Sequence, residues 1–270
     1  DWIASWFYCR WRAILWALDW LSWQSTFLIL AAIVFINTVP ILVYSEPQHR
    51  KVSETQTASF NFQQIKNYLA YFIQSPVLAA WLAVLLSFKI ADGLAGPLLK
   101  PLMVDLGLSF SQIGLYVTML GACAALMGAG LAGYSLKFIR RSTALVAYSL
   151  LKISSLVAYA WLAFQYEIKY GIQPWLIYLI NAFEDMTSSM LLVVMLTLVM
   201  QYSRKQMAGT DFTFQVALMA TVSGGLYSVS GILGDWLGYF HYLCIIVVIA
   251  MLSLWFIFKW RAIATHSDFS

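Results

Sequence analysis

The chain has 270 residues, of which 61% are hydrophobic and 10% charged, with a mean hydropathy of +0.76. Soluble domains average roughly 45–50% apolar and about 25% charged, so this composition excludes a soluble fold and predicts an integral membrane protein. The 16 basic and 12 acidic residues leave a net charge of +4. The basic residues cluster at the ends of apolar runs, which reads as membrane topology and not as a nucleic-acid surface.

Residues 1–18 form a Trp-rich apolar stretch interrupted by Arg10 and Arg12. With a start at Asp1 and no initiator Met, this predicts that residues 1–25 are the end of a truncated span and that the chain is a C-terminal fragment. Seven segments then reach the roughly 20 apolar residues that a membrane helix needs: 26–45, 77–99, 111–134, 143–165, 174–199, 212–234 and 239–258. Helices are the expected form, because lipid cannot satisfy an open backbone and no alternating barrel strands appear. The predicted fold is an all-α, polytopic membrane helix bundle.

The loops support this map. Arg50, Lys51 and Lys66, then Lys137, Arg140 and Arg141, then Arg204 and Lys205, then Lys259 and Arg261 fall on one side, and only Lys100 and Lys169 on the other. A ten-to-two split that alternates with every span is what the positive-inside rule predicts. It places the 46–76 loop, the 135–142 and 201–211 turns and the tail 261–270 in the cytoplasm. Arg10 and Arg12 are assigned to neither side. The polar 46–76 loop, with one span before it and six after, reads as a linker between two six-helix halves. On that reading 26–45 is a sixth helix and 77–260 is the second half.

The most informative segment is the polar island Ser87-Phe88-Lys89-Ile90-Ala91-Asp92-Gly93 inside the 77–99 span. A charge at membrane depth costs roughly 2.5–3.5 kcal/mol on insertion scales, and retained charges tend to line an ion or substrate path. Lys89 and Asp92, three apart, share a helix face. Lys152 lies about nine residues into its span, roughly 14 Å deep at helical rise, which is long for snorkelling. Glu184 and Asp185 lie mid-span and point roughly 100° apart, so one can face a cavity and the other a neighbouring helix.

Two readings of these residues stand side by side. They carry protons and hold a charged substrate, or they form static interhelical ion pairs. Asp92, Glu184, Lys89, Lys152 and Asp185 are therefore the candidate substrate and proton-coupling residues.

Gly128, Gly224, Gly225 and Gly231 lie in segments dense in small residues. Such residues permit close helix approach, and the Gly224-Gly225 pair offers a rocking point. Gly128-Ala-Gly130-Leu-Ala-Gly133 matches a dinucleotide fingerprint in letters only, lacking a preceding strand. Ser149-Leu-Leu-Lys152 matches a lactamase tetrad without its partner motifs. The histidines show no ligand spacing, and Cys9, Cys123 and Cys244 read as small core hydrophobes. No metal site, cofactor, catalytic residue or nucleic-acid surface is expected.

Several runs carry a resemblance. Phe88-Lys-Ile-Ala-Asp-Gly-Leu-Ala, followed by Val104-Asp-Leu-Gly-Leu-Ser and Gln112-Ile-Gly, resembles the start of the second half of the muropeptide-permease-like branch of the major facilitator superfamily. Lys137–Arg141 resembles the basic loop between the second and third helices of a facilitator half. Gly231-Ile-Leu-Gly-Asp-Trp-Leu-Gly-Tyr resembles its eleventh helix, and Trp20 through Pro47 its sixth. Within the branch, Glu184-Asp-Met-Thr-Ser-Ser departs from the muropeptide pattern, and Ala208-Gly-Thr-Asp-Phe-Thr-Phe-Gln is more like the rhizobactin and pyochelin siderophore permeases.

The resemblance implies an inner-membrane secondary transporter, driven by protons, that imports a metal-siderophore complex by alternating access. Its partners would be a small-molecule substrate, protons, the lipid bilayer and an N-terminal half of the same transporter. The alternatives are a permease for muropeptides or another amphipathic metabolite, and an accessory or nonfunctional half. The coupling carboxylates would be Asp92 and Glu184, with Lys89 and Lys152 as partners or substrate contacts.

Overall fold

The computed structural model describes residues 71–266 together with Leu28, Ala31, Ala32, Phe35, Ile36, Thr38 and Val39, all seven of which are helical. The expectations for residues 1–25 and for most of 26–76 lie outside the described residues. The chain divides into units Asp1–Phe60 and Asn61–Ser270, and the second is described here.

Among the described residues there is no strand, and six helices are long and apolar enough to cross a membrane. They are α1 (Pro76–Asp105), α2 (Phe110–Ser135), α3 (Arg141–Glu167), α4 (Pro174–Gln201), α5 (Lys205–Leu237) and α6 (Tyr239–His266). Each covers one predicted span; α4 and α6 start at the predicted residue and extend past the predicted end, and the others run past both ends. The 201–211 turn contracts accordingly, because α5 starts at Lys205 with a 3₁₀ turn.

Local chemistry sets the helix ends. α1 and α4 open on Pro76 and Pro174, where a missing N–H removes a donor that would have no partner in the helix. α2 opens on a capping box: Ser109 Oγ accepts from Gln112 N at 3.2 Å, and Ser109 N donates to Gln112 Oε1 at 2.9 Å. Gly238, at φ 72°, ends α5 in a conformation that side chains disfavour and lets α6 begin at the next residue. Interruptions fall inside two helices, at Pro97 and Pro101 of α1 and within α2. Pro97 in α1 offers no N–H to the carbonyl of Gly93, and α2 passes through a π-helical segment at Ile113–Met119.

The main contacts run in sequence around the bundle: α5 on α1, α1 on α6, α6 on α3, α3 on α4, and α4 on α2. Glycines set two of these crossings. A Cβ at Gly93 would come within 2.9 Å of the Ser223 backbone, so α1 and α5 meet there almost main chain to main chain. A Cβ at Gly128 would strike the Met186 carbonyl oxygen and Ser189 Oγ, where α2 crosses α4. Gly224, Gly225 and Gly231 have nothing within 4 Å of a built Cβ. Cys123 is exposed on α2 and Cys244 half-buried. The expected core placement therefore fails for Cys123, because α2 and α5 end the packing sequence and bury little of their surface.

The apolar core is in two parts. One joins Ala91–Met103 of α1 to Ile153–Ala163, Ile177, Ile180 and Tyr242–Ala250. The other joins Val77–Leu85 to Leu145, Tyr148, Met190–Val199, Ile257 and Trp260. Between them lies a polar layer that includes Ser87, Lys152, Glu184, Thr187 and Ser253, all buried.

Candidate functional site

The polar layer is built around Lys152. α3 projects this side chain inward, where it is 6% exposed. Its ammonium donates to Glu184 of α4, to Ser188 Oγ at 2.5 Å, and lies 3.7 Å from Asp92 Oδ1 of α1. Ser188 Oγ in turn donates to Glu184 Oε1 at 2.8 Å. Asp92 Oδ2 accepts from Lys89 Nζ at 2.7 Å, the pairing that a three-residue helical spacing permits. Lys89 and Asp92 are both half-buried. Four charges from three helices thus form one continuous cluster beside a cavity of about 20 Å³ bounded by Asp92, Ser149, Lys152 and Ser253. A space of that size holds about one water.

Asp185 is not part of this chain of ion pairs. It faces α2, where a Cβ at Gly121 would fall on its Oδ2. Asn181, one turn earlier, donates from Nδ2 to Asp185 Oδ2 at 2.7 Å and to the carbonyl of Val117 at 3.2 Å, within the π segment. Its Oδ1 accepts from Tyr159 OH of α3 at 3.0 Å. The two neighbouring carboxylates of α4 therefore serve different helices, as their angular offset requires. Asn181, Tyr159 and Ser188 went unrecognised in the sequence. Asn181 and Ser188 stand four residues from Asp185 and Glu184 in the sequence, but nothing in one helix shows that Tyr159 of a neighbouring helix is presented to Asn181.

A second polar constellation lies at the end of the bundle where α4 meets α5. Asp211 is fully buried and accepts from Arg204 through the backbone N at 2.8 Å, Nε at 2.9 Å and Nη2 at 2.8 Å. Gln215, one turn on, accepts from Trp81 Nε1 of α1 at 2.8 Å and donates to the Val199 carbonyl at 3.3 Å. Tyr202 OH accepts from Trp260 Nε1 of α6 at 3.1 Å, and burial pushes this phenol above its ordinary range. Asp211 and Gln215 belong to the run that carried the siderophore-permease resemblance. Here they tie helix ends together, away from the Lys152 cluster. Among the described residues no group of His, Cys, Asp and Glu is arranged to hold a metal ion.

Comparison with known proteins agrees with the bundle. Over 146 residues the chain is 25% identical to AmpG 4 of Rickettsia felis and 23% identical to AmpG 4 of Rickettsia conorii, both transporters by name. Each match spans 53% of this chain and 35% of the relative, so the chain accounts for only about a third of the relatives' length. No solved structure matches it. A family model for the Major Facilitator Superfamily, a family of membrane transporters, matches residues 13–226. That stretch takes in α1 to α4, most of α5 and the whole charge cluster, and the chain belongs to the Major Facilitator Superfamily.

Proposed function

We propose that this chain forms the second half of a proton-driven secondary transporter of the inner membrane, importing a siderophore-type metal complex by alternating access. The observation that carries the reading is the Lys152 cluster. A buried ammonium has acceptors on two other helices, and it lies in a polar layer between two apolar cores. Charges kept at membrane depth mark substrate and ion paths. With acceptors on both α1 and α4, Lys152 can change partners as the helices rock, without ever being left unpaired in a low-dielectric interior.

On this reading Asp92 and Glu184 are the carboxylates on which coupling acts, and Lys89 and Lys152 hold them or an anionic substrate group. The basic turns at Lys137–Arg141 and Arg204–Lys205, and the end of α6 with Lys259 and Arg261, face the cytoplasm by the positive-inside rule. Import of a cell-wall muropeptide stands as the second reading. It is favoured by the Phe88–Ala95 run and by the bracing role of Asp211 and Gln215, residues on which the siderophore resemblance leaned.

The test is uptake of radiolabelled ferric siderophore by energised cells expressing the protein in its full reading frame, with Asp92→Asn beside wild type. Accumulation that collapses with a protonophore and in the variant is expected. Unchanged uptake by Asp92→Asn removes the cluster from coupling, and uptake of labelled muropeptide alone changes the cargo. Uptake of neither leaves another amphipathic metabolite as cargo, or an accessory or nonfunctional half.

A further inference from the structure

Both Asp92 and Glu184 face ammonium groups. Protonating either one withdraws a partner from Lys89 or Lys152 and leaves a buried cation under-compensated, an expensive state inside a bundle. Asp185 is placed differently. Among the described residues no ammonium or guanidinium lies within 4.0 Å of it, and the group that donates to it is the neutral amide of Asn181. It can gain or lose a proton without stranding a cation.

We propose that Asp185 is the carboxylate at which this protein binds and releases its proton, and that Asn181 is the positioning residue linking that site to the π-helical segment of α2. The inference rests on the proton-coupled reading above: it places the exchangeable proton at Asp185 and leaves Asp92 and Glu184 as the ion-paired carboxylates through which coupling reaches α1 and α3.

The surroundings suit an exchange site. Asp185 is half-buried. The charged and titratable groups that face it are Glu184 on its own helix, Lys152 and Tyr159 on α3, and Lys100 on α1, while α2 presents Gly121. Asn181 spends one amide hydrogen on Asp185 and the other on the Val117 carbonyl. Ionised, the carboxylate is a strong acceptor that holds the amide. Neutral, it is a weaker acceptor and carries an O–H of its own to donate. The amide therefore carries the carboxyl's state to the backbone of Ile113–Met119. Interrupted helical register of this kind recurs at functional sites. Gly121 completes the arrangement, since any side chain there would displace the carboxylate.

The test needs no cargo. Infrared difference spectra of the purified protein in lipid nanodiscs, recorded across a pH titration, report the C=O stretch of protonated carboxyls. The expected result is a buried-carboxyl band that titrates in wild type and is lost in the isosteric Asp185→Asn. Persistence of that band in Asp185→Asn overturns the proposal, as does the absence of any such titrating band in wild type. Asn181→Leu is expected to keep the band and move its pH midpoint by about one unit, tenfold in proton affinity. An unmoved midpoint removes Asn181 from the linkage. Failure of the transport reading shows separately, as wild type that accumulates neither labelled ferric siderophore nor muropeptide while the band titrates normally.

Discussion

Lys152 of α3 stands 3.7 Å from Asp92 of α1 while also donating to Glu184 of α4, so one buried ammonium joins three helices. Lys152→Met leaves these carboxylates without their shared cation, and loss of one partner of a buried ion pair costs about 3–5 kcal/mol. Thermal unfolding in detergent should show a clearly lowered Tm. Adding Glu184→Gln should restore part of the loss, because residues in contact are energetically coupled. Strictly additive losses would show that the two do not act as a pair.

Gly128 and Gly130 lie two residues apart on α2 and differ in what they face. A Cβ at Gly128 meets the Met186 carbonyl, whereas one at Gly130 meets nothing within 4 Å. Gly128→Ala should destabilise by about 1–3 kcal/mol through overpacking. Gly130→Ala should lose nothing, and gains up to about 1 kcal/mol of helix propensity. Equal Tm values for the two variants would contradict the α2–α4 crossing.

Gln215→Leu removes the acceptor of Trp81 Nε1 at a site where both residues are fully buried. A stranded buried donor costs about 1–3 kcal/mol. Trp81→Phe in the same background removes the orphaned N–H, so its further loss should reflect packing alone. A denaturant or thermal series of the single and double variants separates the two contributions.

At the opposite end of the bundle, Tyr239 OH donates to Asp105 Oδ2 at 2.6 Å in an exposed setting. Short as the bond is, water competes for both groups. Tyr239→Phe should therefore change stability by no more than about 0.5 kcal/mol. A loss as large as that of Gln215→Leu would show that this end is shielded from solvent.

How much was legible in the sequence follows from how far each interaction reaches. The positions of the six spans between residues 77 and 258 could be read directly, because a membrane helix must satisfy its own backbone and advertises itself by about twenty apolar residues. The Lys89–Asp92 pair could be read from i,i+3 spacing. The alternation of basic loops could be read because it depends only on counting spans.

The rest required the tertiary structure. That Lys152 meets Asp92 and Glu184, that Asp185 turns instead to α2, and that Asn181 bridges Tyr159 to a π-helical carbonyl are contacts between residues as much as 64 positions apart. Asp211 and Gln215 were read for their likeness to a family motif, and only their partners Arg204 and Trp81 show them bracing helix ends. By itself the sequence determined that this is a polytopic bundle with charges at membrane depth. Helix packing alone decided which charges pair directly and that Asp185, among the described residues, has no cation in ion-pair contact, because a helix periodicity states which face a residue occupies and never what stands opposite it.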